Sequence, residues 1–394
     1  MQVGELIGPV DVGPIAHGGH CVARVDGQVV FVRHALPGEL VQVRVRDVTR
    51  RFARGDAVEI VRPADERVSP PCPVAGECGG CDFQHVAPAF QLELKRRVLA
   101  EQLQRLAGIV WDGVVEPVDP LLGSRYRMRF VTDADGRLGL RAHRSHEVVP
   151  LPSEGCRLAH ASMPRRVREM ATDSADVTPG ERGGEQNRSP FDEPAEYLGV
   201  VSAEGGRLFR PGTDALVTQQ VGERTFTVAA DGFWQAHVAA PEVLTAAVLD
   251  GLRPEPDERA FDLYCGVGVF AGALADAGCQ VWGVEGNKAA IALARRNVPQ
   301  ARFQVGDVAR TLSRLPGRAD LVVLDPPRTG AGKAVMAAVA RLRPRAVAYV
   351  ACDPAALARD LGFAAEHGYR ASSIRAFDLF GMTHHLEAVA ILYR

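Results

Sequence analysis

From about residue 245 onward, short apolar runs alternate with helical stretches, and that alternation leaves few folds open. Strand-length segments fall at 259–263, 280–284, 302–305, 319–324, 346–351, 370–377 and 385–392, with helices starting near 268, 287, 307, 332 and 354. Runs such as Ala346-Val-Ala-Tyr-Val-Ala351 are apolar throughout, as expected of strands buried on both faces. Strand, helix, strand in this order predicts a doubly wound, Rossmann-like α/β sheet. The last two segments have no helix between them and read as a terminal antiparallel pair.

The N-terminal half has a different rhythm. Residues 1–62 alternate apolar and polar positions, with turns at Gly18-Gly19, Asp26-Gly27 and Pro37-Gly38 and strands at Val29–Arg33 and Val41–Asp47. Short strands joined by such turns predict a small OB-like β-barrel, an architecture often used to hold oligonucleotides. A proline- and cysteine-rich connection spans 63–84, a helix is predicted over 90–107, and β pattern returns at Tyr126–Val131 and Leu138–Ala142. Asp173 to Pro194 is polar and is expected to be a mobile acidic loop. The chain, 394 residues long, is too large for one core. It divides into a barrel (1–62), a central β-rich cysteine region (63–225) and the doubly wound domain (226–394).

Composition narrows the setting. With 46% hydrophobic and 24% charged residues, an ordinary globular protein is expected. No signal-peptide pattern opens at Met1 and no apolar run is long enough to span a bilayer, so the expected location is cytoplasmic, with no membrane partner. The net charge of -2 hides a segmentation: residues 121–170 hold ten Arg against five acids, whereas 171–200 hold two Arg against seven. A basic stretch is often only a solvated face, but here Arg127 and Arg129 alternate with Tyr126 and Phe130, which suits phosphate contact and base stacking.

Phe261 to Phe270 reads as strand, glycine turn and helix. Gly266 and Gly268 allow close backbone approach to a ligand, and Glu285 ends the next strand, where a carboxylate can accept from a ribose diol. The spacing fits a dinucleotide and S-adenosylmethionine equally. Asp307 follows the third strand and can serve either an adenine amino group or the N-cap of the next helix. Asp325-Pro-Pro-Arg328 follows the fourth strand as a stiff turn suited to walling a flat ring. Cys352 ends the fifth strand.

A thiol at that edge, with Glu387 near the end of the chain, suits methylation of an unactivated pyrimidine carbon. A thiolate adding to C6 of uracil makes C5 nucleophilic, and a base must then remove the C5 proton. Taken singly, Cys352 is more often core and Glu387 more often a surface carboxylate; the arrangement carries the reading. A separate group, Cys72-x5-Cys78-x2-Cys81 with Cys156 as a distant fourth, has metal-ligand spacing. Four thiolates suit tetrahedral zinc or a [4Fe–4S] cluster, zinc being the commoner. Cys21 and Cys279 read as core, and Cys265 has no evident task.

These motifs together are specific. Tyr264-Cys-Gly-x-Gly, Asp325-Pro-Pro-Arg, Cys352-Asp-Pro-x4-Arg359-Asp360, Asp378-Leu-Phe-x-Met-Thr-His-His-x-Glu387 and Phe233-Trp-Gln235 resemble the bacterial RNA uracil-C5 methyltransferases. Gly18 to Glu39 resembles that family's TRAM domain. The resemblance implies Cys352 as nucleophile and Glu387 as proton acceptor, with Gln235, Tyr264, Glu285, Asp307 and Asp325 lining an S-adenosylmethionine pocket. It also implies an iron–sulfur cluster on Cys72, Cys78, Cys81 and Cys156 in place of zinc. Departures are His237 for a familiar Asn, Val269 for Asn in some members, Ala351-Cys-Asp for Ser-Cys-Asn, and Gly381 for Pro. A single cysteine at this loop sets the chain apart from cytosine-C5 enzymes.

With a barrel and four cysteines the chain is similar to the members acting on 23S ribosomal RNA more than to the tRNA member, so RNA is the expected partner, with no obligate protein partner. Two other readings stand beside it. A dinucleotide oxidoreductase would leave Cys352 and Glu387 without a task, and a non-catalytic RNA-binding or assembly factor would have no need of both.

Overall fold

The structure is a computed structural model that describes residues 1–167 and 195–394. The expected acidic loop at 173–194 and the last basic residue of the 121–170 stretch, Arg168, lie outside the described residues. Two compact units are present. The first comprises 1–70, 82–118 and 241–394; the second comprises 71–81 and 119–240. The segment 82–118, grouped with the central region on sequence grounds, packs in the first unit.

In the first unit, β1 (Leu6–Asp11), β2 (Cys21–Val25), β3 (Gln28–Arg33), β4 (Leu40–Val48) and β5 (Phe52–Arg62) form a five-stranded sheet in the order β1-β4-β5-β3-β2. Val41, Val43 and Val45 of β4 point inward at period two and are fully buried, joined by Val30, Val32 and Ala53. Next come α1 (Pro88–Ala107) and β6 (Val115–Pro117). α1 begins with proline at its first turn and ends on Gly108 at φ 68°, where the cap amide bonds the carbonyls of Gln104 and Leu103. Leu94 and Val98 of α1 join the barrel core, while Leu99 and Leu103 join the core of the large sheet.

The second unit holds β7 (Arg127–Thr132), β8 (Leu138–Arg141), β9 (Val148–Pro150), β10 (Glu196–Ser202) and β11 (Gly205–Phe209), ordered β11-β10-β7-β8-β9, and a hairpin of β12 (Leu216–Val221) with β13 (Arg224–Ala229). Its small core centres on Phe130, Met163, Tyr197 and Leu208.

The chain returns to the first unit through α2 (Ala240–Leu252), followed by β14 (Arg259–Leu263), α3 (Val269–Asp276), β15 (Gln280–Glu285), α4 (Lys288–Asn297), β16 (Arg302–Val305), α5 (Val308–Thr311), β17 (Leu321–Leu324), α6 (Gly332–Arg341), β18 (Ala346–Ala351), α7 (Pro354–Glu366), β19 (Arg370–Asp378) and β20 (Glu387–Tyr393). These strands, with β6, make an eight-stranded sheet ordered β16-β15-β14-β17-β18-β20-β19-β6. β14 to β18 pair in parallel, and β20 inserts antiparallel between β18 and β19. The doubly wound fold and its terminal antiparallel pair are as expected. Three-residue β6, parallel to β19, was not anticipated. The order reverses between β14 and β17, and the crevice outside the carboxyl ends of such strands is where this fold binds ligands. Among the described residues no helix is long and apolar enough to cross a membrane.

Candidate active site

The loop after β14 turns sharply. Tyr264, Gly266 and Gly268 all have positive φ, at 64°, 51° and 94°. A Cβ at Gly266 would meet no atom within 4 Å, so this bend leaves room for a ligand against the backbone. Glu285, at the end of β15, accepts from the amides of Gly266 (3.3 Å) and Asn287 (2.8 Å), which ties the first two strand ends together. Asp307 caps α5, accepting from Arg310 N at 3.0 Å, so of its two expected uses the capping one is seen directly. Tyr264 lies within electrostatic reach of Asp307, Asp360 and Glu285, and its hydroxyl is pushed up to about 12, chiefly by burial. Tyr264, Glu285, Asp307 and Asp325 thus share one edge of the large sheet. Gln235 belongs to the second unit.

Asp262 sits behind this edge, and Asp325 is half-buried on it. Asp262 has no exposed surface; one oxygen accepts from Ala271 N at 2.8 Å and the other is buried without a partner among the described residues. Burial pushes its carboxyl up to about 8 and that of Asp325 to about 7.

Cys352 follows β18 and Glu387 opens β20. The antiparallel register ends with Ala351 opposite Ala388, so one further step sets Cys352 beside Glu387. Glu387 is 5% exposed, and burial first, then Asp325, raise its carboxyl well above the ordinary value against the pull of Arg328. Burial raises the Cys352 thiol to about 12, with Glu387 adding to the effect and Arg328 opposing it. A cavity of about 160 Å³ opens at Cys352, lined also by Arg328, Asp353, His384 and His385. A cavity of roughly 150 Å³ admits a benzene ring, so one pyrimidine fits.

Several contacts that fix this site carry no local sequence signal. Lys95 of α1, fully buried, donates to Asp378 at 2.5 Å and to the Phe380 carbonyl at 3.1 Å. His384 pairs through Nδ1 with Asp82 at 2.6 Å, and His17 of the barrel pairs with Asp353 at 3.0 Å. Asp360, fully buried, accepts from Ala331 N (2.7 Å), Gly332 N (3.0 Å) and Tyr349 OH (2.6 Å) on one oxygen and from Arg359 on the other. The Arg359-Asp360 end of the cysteine motif therefore locks the turn after Arg328 onto α7.

Residues 4–58 match the TRAM domain family, 260–345 a methyltransferase domain family, and 317–394 the tRNA (uracil-5-)-methyltransferase family. An uncharacterized RNA methyltransferase of Streptomyces coelicolor is 45% identical over 423 residues, spanning 97% of this chain and 92% of that protein. The 23S rRNA (uracil(1939)-C(5))-methyltransferase RlmD of a Shewanella species is 30% identical, spanning 96% of this chain and 94% of the relative. The chain belongs to the RNA uracil-C5 methyltransferase family. Among solved structures, the Pyrococcus abyssi tRNA (uracil-54, C5)-methyltransferase in complex with S-adenosyl-L-homocysteine aligns with TM-score 0.69 and 22% identity over 97% of this chain and 99% of the other, a likeness of fold. The protein is an S-adenosylmethionine-dependent RNA uracil-C5 methyltransferase.

Two expectations for the second unit of this methyltransferase need correction. Phe130 is 1% exposed and belongs to the core, so it cannot stack on a base. Arg127 turns inward to the carbonyls of Ala229 and Ala230, and burial lowers its pKa to about 10; only Arg129 is well exposed, 3.9 Å from Asp231. Adjacent strand residues face opposite ways, and the packed core of this small sheet claims Phe130.

The four cysteines all lie in the second unit as free thiols. Burial raises the Cys156 thiol and Cys72 adds to that rise; Arg125 lies within electrostatic reach of Cys81 and Cys156. They share one neighbourhood. Among the described residues, however, no group of three or more His, Cys, Asp or Glu is placed to hold a metal ion. The expected metal site on Cys72, Cys78, Cys81 and Cys156, cluster or zinc, is thus not shown by the described residues. Cys78 forms a backbone bridge to Ala142, and Gly80 N donates to its sulfur at 3.3 Å.

Proposed function

We propose that this enzyme makes 5-methyluridine in 23S ribosomal RNA, with Cys352 as nucleophile and Glu387 as base. The observation that carries the reading is the adjacency of Cys352, which lines a pyrimidine-sized cavity, to the buried Glu387. Cys352 first gives up its proton to solvent, a step favoured by Arg328 and opposed by burial and by Glu387. Its sulfur then adds to C6, opening the C5=C6 bond and moving charge onto O4. S-Adenosylmethionine supplies, when bound, a methyl group on a positively charged sulfur that C5 can take. C5 now carries both a methyl group and a hydrogen. Glu387, as carboxylate, removes that hydrogen as a proton; the double bond re-forms and the Cys352 thiolate leaves. The products are 5-methyluridine, S-adenosylhomocysteine and one proton.

Tyr264, Glu285, Asp307 and Asp325 are the first-unit residues assigned to the cofactor, and Gln235 is assigned from the second unit. Support comes from the open bend at Gly266 and from Glu285, which has lone pairs left beyond its two amide bonds. For Cys72, Cys78, Cys81 and Cys156 we favour a [4Fe–4S] cluster over zinc. Zinc needs four sulfurs about 2.3 Å from one point, whereas a cluster distributes its thiolates over separate irons. The cluster reading rests on the resemblance of the cysteine pattern to the family, and Arg125, within electrostatic reach of Cys81 and Cys156, is a nearby countercharge. The ribosomal target is supported by the near-full-length relative named for 23S rRNA. Such a substrate implies work in the cytoplasm, without an obligate protein partner.

The test is methyl transfer from labelled S-adenosylmethionine to unmodified total RNA, by wild type and Cys352→Ala, with fragment mapping. Label in 5-methyluridine of a 23S fragment, absent in the variant, is the expected result. Label in tRNA keeps the chemistry and overturns the substrate; label with Cys352→Ala overturns the nucleophile.

A further inference from the structure

The barrel does more than lie beside the sheet within the first unit. Its β1–β2 connection, 12–20, is folded back by Ala16 N donating to the His20 carbonyl (2.8 Å) and Gly19 N to the Ala16 carbonyl (3.1 Å). Ile15, His17, Gly18 and Gly19 of this loop line the same cavity as Cys352. The loop is seated closely: a Cβ at Gly19 would stand 2.5 Å from the Cβ of His384, and Gly19 has φ of 79°. Only glycine fits both the conformation and the contact.

His17 makes the polar contact of this seating. Its Nε2 lies 3.0 Å from Oδ2 of Asp353, the residue directly after Cys352. Asp353 uses its other oxygen to cap α7, accepting from Ala356 N at 2.8 Å. The backbone contacts of the cap come from α7 alone and do not tie Asp353 to the barrel. The His17 contact fixes the second oxygen, and with it the orientation of the turn that carries the thiol.

We propose that the barrel loop Ile15–Gly19 is a wall of the target-base pocket, and that His17 is a positioning residue that acts on Cys352 through Asp353. This rests on Cys352 being the nucleophile. Both partners are partly exposed, with side chains at 40% and 25%, so the pair adds little to stability, as is usual for exposed ion pairs. Its effect falls on the geometry of attack, where small misplacements cost large factors in rate.

The experiment compares wild type, His17→Ala, His17→Gln and Cys352→Ala as full-length protein. It measures the single-turnover methylation rate at saturating RNA, RNA affinity by filter binding, and melting temperature. His17→Ala should lower the rate at least about tenfold, with affinity within twofold and melting unchanged. Glutamine places an amide donor near the position of Nε2 and should restore most of the rate. An unchanged rate in His17→Ala, or a loss confined to RNA affinity, overturns the inference while leaving the nucleophile intact. Equal damage from alanine and glutamine also overturns it, because a donor to Asp353 would then not matter. Methylation by Cys352→Ala removes the premise and the inference together.

Discussion

Cys352 directly follows β18 and Glu387 opens its antiparallel neighbour β20, one residue beyond the last registered pair, Ala351 and Ala388. The register of β18 against β20 brings them side by side. The two groups act at opposite ends of the proposed reaction, the thiol at C6 first and the carboxylate at C5 last. Glu387→Gln should therefore permit addition and methylation but block release. A covalent protein–RNA complex should accumulate on a denaturing gel and turnover should fall at least about a hundredfold. The complex should vanish in the double variant with Cys352→Ala. Wild-type turnover by Glu387→Gln would place the base elsewhere.

Asp325 and Asp262 give the fold a pH dependence of definite sign. Burial raises them to about 7 and about 8, while an unfolded aspartate titrates near ~4. Across that interval the folded chain holds protons that the unfolded chain has released, so these groups lower stability as pH rises from about 4 to about 8 and have no further effect above. Asp325→Asn removes one titration. The difference in melting temperature, variant minus wild type, should grow in favour of the variant between about pH 4 and 7 and then level off. A difference independent of pH would mean that Asp325 titrates alike in both states.

Lys95 and Asp378 form a pair with almost no solvent contact, and the loop from Asp378 to Leu386 leads directly into Glu387. Lys95→Met keeps the length of the side chain but strands the carboxylate. Breaking one side of such a pair costs about 3–5 kcal/mol. Urea denaturation should show that loss as a lower midpoint at an unchanged slope. Adding Asp378→Leu should recover part of it, since no buried charge then lacks a partner. A loss below about 1 kcal/mol would mean that water reaches the carboxylate.

How much could be read in advance follows from the range of each interaction. Leu321–Leu324 and Ala346–Ala351 were legible because a parallel strand covered on both faces must be apolar throughout. Cys352 and Glu387 could be singled out in the sequence because distinctive motifs surround each of them. The contacts that hold them could not. His17 meets Asp353 across 336 positions and Asp82 meets His384 across 302, and no local periodicity encodes such pairs. Phe130 shows the opposite error. Its alternation with arginines looked like a stacking face, and only the tertiary core decided which side of β7 was inward. Likewise β6 is too short to announce itself, being defined by its partner β19.

The cysteines of the second unit provide the last prediction. Cys72 and Cys81 are buried, Cys78 and Cys156 partly so, and Arg125 sits within reach of two of them. A [4Fe–4S] cluster on four thiolates carries excess negative charge, which a half-buried guanidinium offsets. Protein purified without oxygen should therefore contain iron and acid-labile sulfide in equal amounts, about four of each per chain, and Cys156→Ser should lower both together. About one zinc per chain with no sulfide would replace the cluster with a single tetrahedral ion and require the thiols to converge. Arg125→Met tests the countercharge apart from the ligands: it should speed loss of iron in air while leaving the four thiols in place. Iron loss at the wild-type rate would mean that the cluster's charge is balanced by solvent and by the amides around Cys78 and Cys156.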